Sequence, residues 1–328
     1  MKTLFRTFAL GAALACAAGA AGAQTKIDLA VFHPEGDAFS GAIKHWIEQT
    51  SARTNGAVVL TPHWASSLAK LTETYGAVRD GIIPAGTTAA GVLSGQIPAM
   101  AYIEIIGGLP GDSAAAKAAA QKLRPVLSKM LGDRGVAYAW MQGAFGGLAA
   151  CRDAHLKTPA DWRGKKVRTA GRWQSQQLLA LGATPVTIDP AEQYIALRQG
   201  TVDCVLSNNT LALGLKLHEV GAKITQLRQP VNATIYLVNP RTMSGLSDAH
   251  RSAVLDAGAA AETFGVDFLL QRQESAAATM KNQGADIYTL SDAELAAFKA
   301  AVRPVIARID ESAGEAGKPI ADVLKPYW

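Results

Sequence analysis

Short apolar runs alternate along this chain with longer stretches in which apolar residues recur every three or four positions. The first pattern suits buried strands and the second amphipathic helices. Ile27 to Phe32 reads as a strand, stopped by His33-Pro34-Glu35-Gly36. A helix is expected from about Asp37 to Thr54, with Phe39, Ile43 and Ile47 on one face and Gly56 closing it. Ala57 to Thr61 follows as a strand, and Ser67 is placed to cap a helix over Leu68 to Asp80. The pattern assigns no element between Gly81 and Val136.

From Val136 the signals sharpen. Val136–Trp140, Gly147–Cys151, Lys165–Thr169, Thr184–Thr187, Asp203–Leu206 and Thr234–Val238 read as strands. Thr158-Pro159-Ala160-Asp161 and Asp189-Pro190-Ala191-Glu192 open helical turns, each with a capping residue, a proline and an acid three places on. Gln174 to Leu181 and a stretch through Gln199 read as helices, each ended by a glycine. Ser247 to about Gln283 lacks proline and is rich in Ala, Leu, Glu and Gln, which predicts one long helix carrying Gly258 and Gly265 inside it. Ser291 to Glu294 is a capping box, and Pro304 should end or kink the helix it opens. Strands alternating with helices predict an α/β fold with mainly parallel sheets.

The chain of 328 residues begins with an address-like segment. Lys2 and Arg6 precede a short apolar run, and Ala21-Gly22-Ala23 is a cleavage triplet. Residues 1–23 are therefore expected to be an export signal, with the mature protein in the periplasm. Of the net charge of +5, Lys2 and Arg6 supply two, leaving +3 beyond Ala23. That is too mild for a nucleic-acid partner. No later stretch is apolar and long enough to span a bilayer. Cys151 and Cys204 remain as a pair that is either a disulfide or two buried small residues. Six scattered His and no CxxC give no metal site. No nucleophile elbow, phosphate loop or dinucleotide fingerprint is present, so no catalytic residue and no cofactor are assigned.

Three blocks carry a more specific signal. They are Thr158-Pro159-Ala160-Asp161-Trp162-Arg163-Gly164-Lys165-Lys166-Val167-Arg168, then Leu181-Gly182-Ala183-Thr184-Pro185-Val186, then Glu192 to Asp203 with its Tyr194, Ala196, Leu197 and Gly200. In this order and spacing they resemble the solute-binding proteins of tripartite ATP-independent periplasmic (TRAP) transporters, of the DctP type. The resemblance implies a two-lobed periplasmic-binding-protein fold, with a ligand cleft between the lobes and a long bridging helix. It places lobe I at residues 24–146, with about 235–270 returning to it. Lobe II takes 147–234, completed and bridged by about 271–328. It implies binding without catalysis. The partners are a small organic-acid ligand and the membrane permease subunits that import it.

Arg168 matches the family's carboxylate-binding arginine, and a guanidinium presents a planar fork of donors suited to a carboxylate. Arg172 lies just past that strand, where either a cleft contact or a solvated loop charge fits. Trp173, Tyr194 and Trp64 are expected as pocket walls, with Tyr102 a weaker choice. His33 ends the first strand and can reach the cleft. Asn208 stands near a loop where the family contacts its ligand, although Leu206, Ser207 and Cys204 depart from the usual pattern there. A second family arginine is missing near Gly147. One strong cation points to a monocarboxylate with an apolar or aromatic body. A binding protein of an ATP-driven importer is the alternative, with an enzyme on a similar fold further behind.

Overall fold

The computed structural model describes residues 24–328; the export-signal expectation falls outside them. Eleven strands among the described residues form two sheets. In chain order they are β1 (Thr25–Ala30), β2 (Val58–His63), β3 (Ala85–Ala89), β4 (Ala137–Gly143), β5 (Gly147–Cys151), β6 (Lys166–Thr169), β7 (Thr184–Thr187), β8 (Cys204–Asn208), β9 (Lys223–Gln226), β10 (Ala233–Val238) and β11 (Asp286–Thr289). The first sheet runs β2-β1-β3-β10-β4 and the second β11-β9-β5-β8-β6-β7. Each sheet with its helices makes one lobe of a two-lobed α/β fold. Both sheets are mixed: β10 lies antiparallel between β3 and β4, and β5 lies antiparallel between β8 and β9. The expected parallel character holds for β1 with β2 and β3, and for β6 with β7 and β8.

The chain passes between lobes at three backbone crossings. Ala144–Gly146 joins β4 to β5, and Leu227–Asn232 joins β9 to β10. The third is the long helix Asp248–Asn282, capped by the Ser247 hydroxyl. At 1.5 Å per residue its 35 residues span about 50 Å, enough to cross both lobes. Its two glycines serve close packing. A Cβ on Gly258 would lie 3.0 Å from the Ala139 carbonyl of β4, and one on Gly265 3.0 Å from Ala42 Cβ of the helix Ser40–Arg53. Beside that contact, Trp140 stacks on Tyr236 at 3.6 Å between ring centres, and the Trp46 indole donates to Val254 O.

Two expectations need correction. The helix after Ser67 starts only at Thr74, because Ala65 and Ser66 take left-handed backbone angles and turn the chain first. Between Gly81 and Val136 the chain forms β3 and a 20-residue helix, Ser113–Gly132. β3 reads Ala-Gly-Thr-Thr-Ala, with no large apolar residue to announce it, yet every position is buried. Pro304 ends the helix Asp292–Val302, as expected, and opens a further one, Pro304–Ala313, at whose first position its missing N–H costs nothing. The tail from Asp292 distributes its contacts over both lobes. Helix Asp292–Val302 packs Phe298 near Trp162, but Val305, Ile309, Ile320 and Leu324 join the cluster holding Ile103, Leu123 and Leu127.

Candidate functional site

β6 alternates. Val167 enters the core with Trp162 and Leu178, so Arg168 must point to the opposite face of the sheet. There it is 3 % exposed. Its Nε donates to Ile188 O at 2.9 Å and its Nη1 to Leu206 O at 3.1 Å. Nη2 has no partner. Burial pulls the group down to about 10, with the charge of Asp189 offsetting part of the effect, so the guanidinium stays charged at neutral pH. A buried, charged N–H without an acceptor costs on the order of 1–3 kcal/mol or more, and an incoming anion removes that cost.

β6 and β8 run parallel, so their C-terminal ends share one edge of the sheet. Past β6, Gly171 and Trp173 meet Glu104 of the first lobe, which fixes that edge as the one facing across. In α/β sheets, ligands bind outside the C-terminal ends of strands. Ser207, near the end of β8, follows Val205, the register partner of Arg168, by two residues and shares its face. Its hydroxyl is buried and unpaired. Both amide atoms of Gln193 are also buried and unpaired. Neither residue is a candidate on motif grounds. The available signal for Gln193 is its position three and four places before Ala196 and Leu197, a polar residue on the buried stripe of a helix.

Asn208 has a local task. Its Oδ1 accepts from Leu211 N at 3.1 Å and Thr210 Oγ1 at 2.9 Å, capping the helix Asn209–Gly214. Gln273 of the long helix also donates to it, at 3.3 Å. Cys151 and Cys204 are joined by a disulfide and face each other directly in the β5–β8 register, with Cα atoms 4.1 Å apart.

The first lobe contributes the ends of β1 and β3. His33 is buried; its Nε2 lies 3.1 Å from Thr234 Oγ1 of β10 and its Nδ1 3.4 Å from Asp37 Oδ2. Its ring stacks on Phe39 with 4.4 Å between centres. Burial alone would raise the Asp37 carboxyl, but the hydrogen bond and charge of His33 and the Phe39 and Ala38 N–H groups bring it below the usual range. Trp64 is half-buried against the core of this lobe, with Lys44 Nζ 5.9 Å from its ring centre.

The remaining aromatics serve the cores. Trp173 packs with Tyr102, Ile103 and Ile309. Tyr194 flanks the cluster containing Leu148, Leu197 and Val205. Tyr102 donates to Asp310 at 2.5 Å and stacks on Trp328. Arg172 is exposed, with its guanidinium 5.4 Å from the Trp173 ring centre. A residue that the motifs do not mark is Glu104, fully buried between the lobes. It accepts from Trp173 N at 2.8 Å and Ser94 Oγ at 2.6 Å. Burial raises its carboxyl above the usual range despite those bonds and the nearby Arg172 charge. As a lone acid in the apolar run Ile97–Leu109 it was legible as an anomaly.

Two cavities open between the lobes. One of about 740 Å³ lies between Pro34–Lys44 and Thr210–Leu215, roofed by the long helix at Phe268–Thr279. Another of about 770 Å³ lies at the crossings, lined by Phe145, Gly146, Arg228, Pro230, Gln273 and Lys299. Among the described residues, no group of three His, Cys, Asp or Glu is placed to hold a metal. No helix among them is long and apolar enough to cross a membrane.

Two mixed sheets, three backbone crossings and a buried cation at the facing strand ends define a solute-binding protein of the bilobed periplasmic class. Residues 29–312 match the family of bacterial extracellular solute-binding proteins, family 7 (DctP), and the chain belongs to that family, the solute receptors of TRAP transporters. The 2,3-diketo-L-gulonate-binding periplasmic protein YiaO of Escherichia coli is 23 % identical over 250 residues, 76 % of each chain. A TRAP periplasmic solute-binding protein from Marinobacter aquaeolei, in an apo open structure, superposes with TM-score 0.84 at 21 % identity, covering 92 % of this chain and 99 % of that one. DctP7 of Bordetella pertussis, a receptor binding pyroglutamic acid, superposes with TM-score 0.82 at 19 % identity, again covering 92 % and 99 %.

Proposed function

We propose that this receptor captures a small monocarboxylate with Arg168 and delivers it to membrane permease subunits. The observation that carries the reading is the unpaired Nη2 of a guanidinium that is otherwise fixed by two carbonyls and stripped of water. Two fixed bonds hold the fork still, and the third nitrogen supplies a charge-assisted bond to an anion. The relatives named above fit this class: pyroglutamic acid and 2,3-diketo-L-gulonate each carry one carboxylate beside further oxygen-bearing groups.

His33 and Thr234 supply the opposing wall. Arg172 stands outside it, at the rim. The aromatic side chains expected as walls are engaged in cores, so the reading keeps a small polar acid and drops an aromatic body. Binding is taken as the whole activity, without turnover of the ligand, and residues 1–23 as the signal that exports the chain to the periplasm. The lobes divide as residues 24–146 with 235–270, and 147–234 with 271–303, the tail from Pro304 lying across both.

Calorimetry with a panel of small organic acids tests the assignment. Arg168→Met should cost about 2–5 kcal/mol of binding free energy for every acid that binds. Unaltered affinity in that variant rejects the reading.

A further inference from the structure

Gln193 occupies a position where a polar side chain is costly. It is the first residue of the helix Gln193–Arg198, on the face that buries Ala196 and Leu197. Its exposure is 0 %, and both Oε1 and Nε2 lack partners. A primary amide can donate twice and accept twice, and leaving it unmatched in a core is unfavourable. A methionine or leucine would fill the same space without that cost.

Its surroundings explain what the amide is for. Arg168 Nε bonds Ile188 O, five residues before Gln193 on the segment that leads into its helix. Arg168 Nη1 bonds Leu206 O of β8, the strand on which that helix packs. The guanidinium is therefore clamped between the chain leading into Gln193 and the strand beneath it. Ser207 shares the face of β8 that carries Val205. Three neighbouring elements thus each carry a buried polar group without a partner: a donor on β6, a hydroxyl on β8 and an amide on the helix.

We propose that Gln193 is a specificity-determining residue, whose buried amide bonds a hydroxyl or carbonyl oxygen next to the carboxylate held by Arg168. The site then takes 2-hydroxy and 2-oxo acids in preference to plain alkanoates. This rests on the assignment of Arg168 as the carboxylate anchor. A site built around a buried hydrogen-bonding group rejects the analogue that leaves that group unmatched, whereas an apolar pocket discriminates weakly.

Matched acids test it by calorimetry: butyrate against 2-hydroxybutyrate and 2-oxobutyrate, and the same trio at six carbons. Wild type should bind an oxygenated member at least about tenfold more tightly than its parent, a gap of about 1.4 kcal/mol. Gln193→Met should reduce the preference for the oxygenated member to within about threefold. It should also raise the melting temperature of the unliganded protein, by about 2–4 °C for each kcal/mol recovered. An oxygenated acid that binds no better than its parent in wild type overturns the proposal, and that comparison needs no variant. So does a preference that survives Gln193→Met. Arg168→Met separates the two ideas, because it should weaken parent and oxygenated acids alike. If it weakens neither, the anchor is wrong and this inference falls with it; if it weakens both while Gln193→Met changes no preference, only the inference fails.

Discussion

Glu104 of the first lobe accepts the backbone N–H of Trp173, in the second lobe, at 2.8 Å, and no part of its side chain reaches solvent. Two residues on, Ile106 exchanges both backbone bonds with the Gln177 amide, at 2.8 and 3.0 Å. Together these contacts dock the helix Arg172–Ala180 against the first lobe. A carboxylate here satisfies an N–H at the start of a nine-residue helix, but burial penalises its charge.

That conflict gives stability a pH dependence of known sign. The Glu104 carboxyl is raised on folding, so its contribution is fully present below the unfolded value of about 4.5 and is lost as pH rises through the folded value. Glu104→Gln keeps an acceptor for Trp173 and cannot ionise. The two proteins should melt together near pH 4. The variant should gain on wild type as pH rises, by about 1.4 kcal/mol for each unit of upward shift. Melting curves that stay parallel from pH 4 to 8 would remove ionisation of Glu104 from the account.

Gly171 probes the same contact by shape alone. Its φ of −138° is open to any residue, but a Cβ there would lie 2.2 Å from Glu104 Oε1 and 2.9 Å from Glu104 Cδ. Gly171→Ala should displace the carboxylate and destabilise by about 1–3 kcal/mol. In a Glu104→Ala background the same change should be nearly free. Equal costs in both backgrounds, by denaturant titration, would show that the two residues do not compete for this space.

The Cys151–Cys204 disulfide closes a loop across 53 positions, for which chain entropy alone gives about 4 kcal/mol. Replacing both cysteines by alanine should lower stability by about 2–4 kcal/mol. Affinity should change little, because the Ser207–Asn208 end of β8 is held separately by Thr210 and Gln273. Thiol titration of residues 24–328, unfolded without reductant, should find no thiol, and two after reduction. Two thiols before reduction would contradict the bridge.

The sequence was most readable where local chemistry decides structure. Both capping boxes, at Thr158 and Ser291, and the long helix after Ser247 stand where spacing places them. β3 was silent because its identity lies in its neighbours: Thr87 Oγ1 bonds Ala30 O and accepts from Phe32 N, contacts with no sequence period. Motif matching led to Arg168 but not to its environment. Its two carbonyl partners come from residues 20 and 38 positions away, and Glu104 meets Trp173 across 69. Trp173 and Tyr194 show the limit of residue type, since an aromatic looks the same on paper whether it lines a cleft or packs on a core; here Trp173 is buried in one cluster and Tyr194 lies half-buried against another.

The tail adds a mechanical limit. Helix Asp292–Val302 rests on one lobe, and Pro304–Ala313 touches segments of both, with Arg303 alone between them. A single residue offers almost no slack. The last helices therefore act as an outside brace, a fourth connection between the lobes made by packing contacts of Pro304–Ala313 and held close to the helix before it.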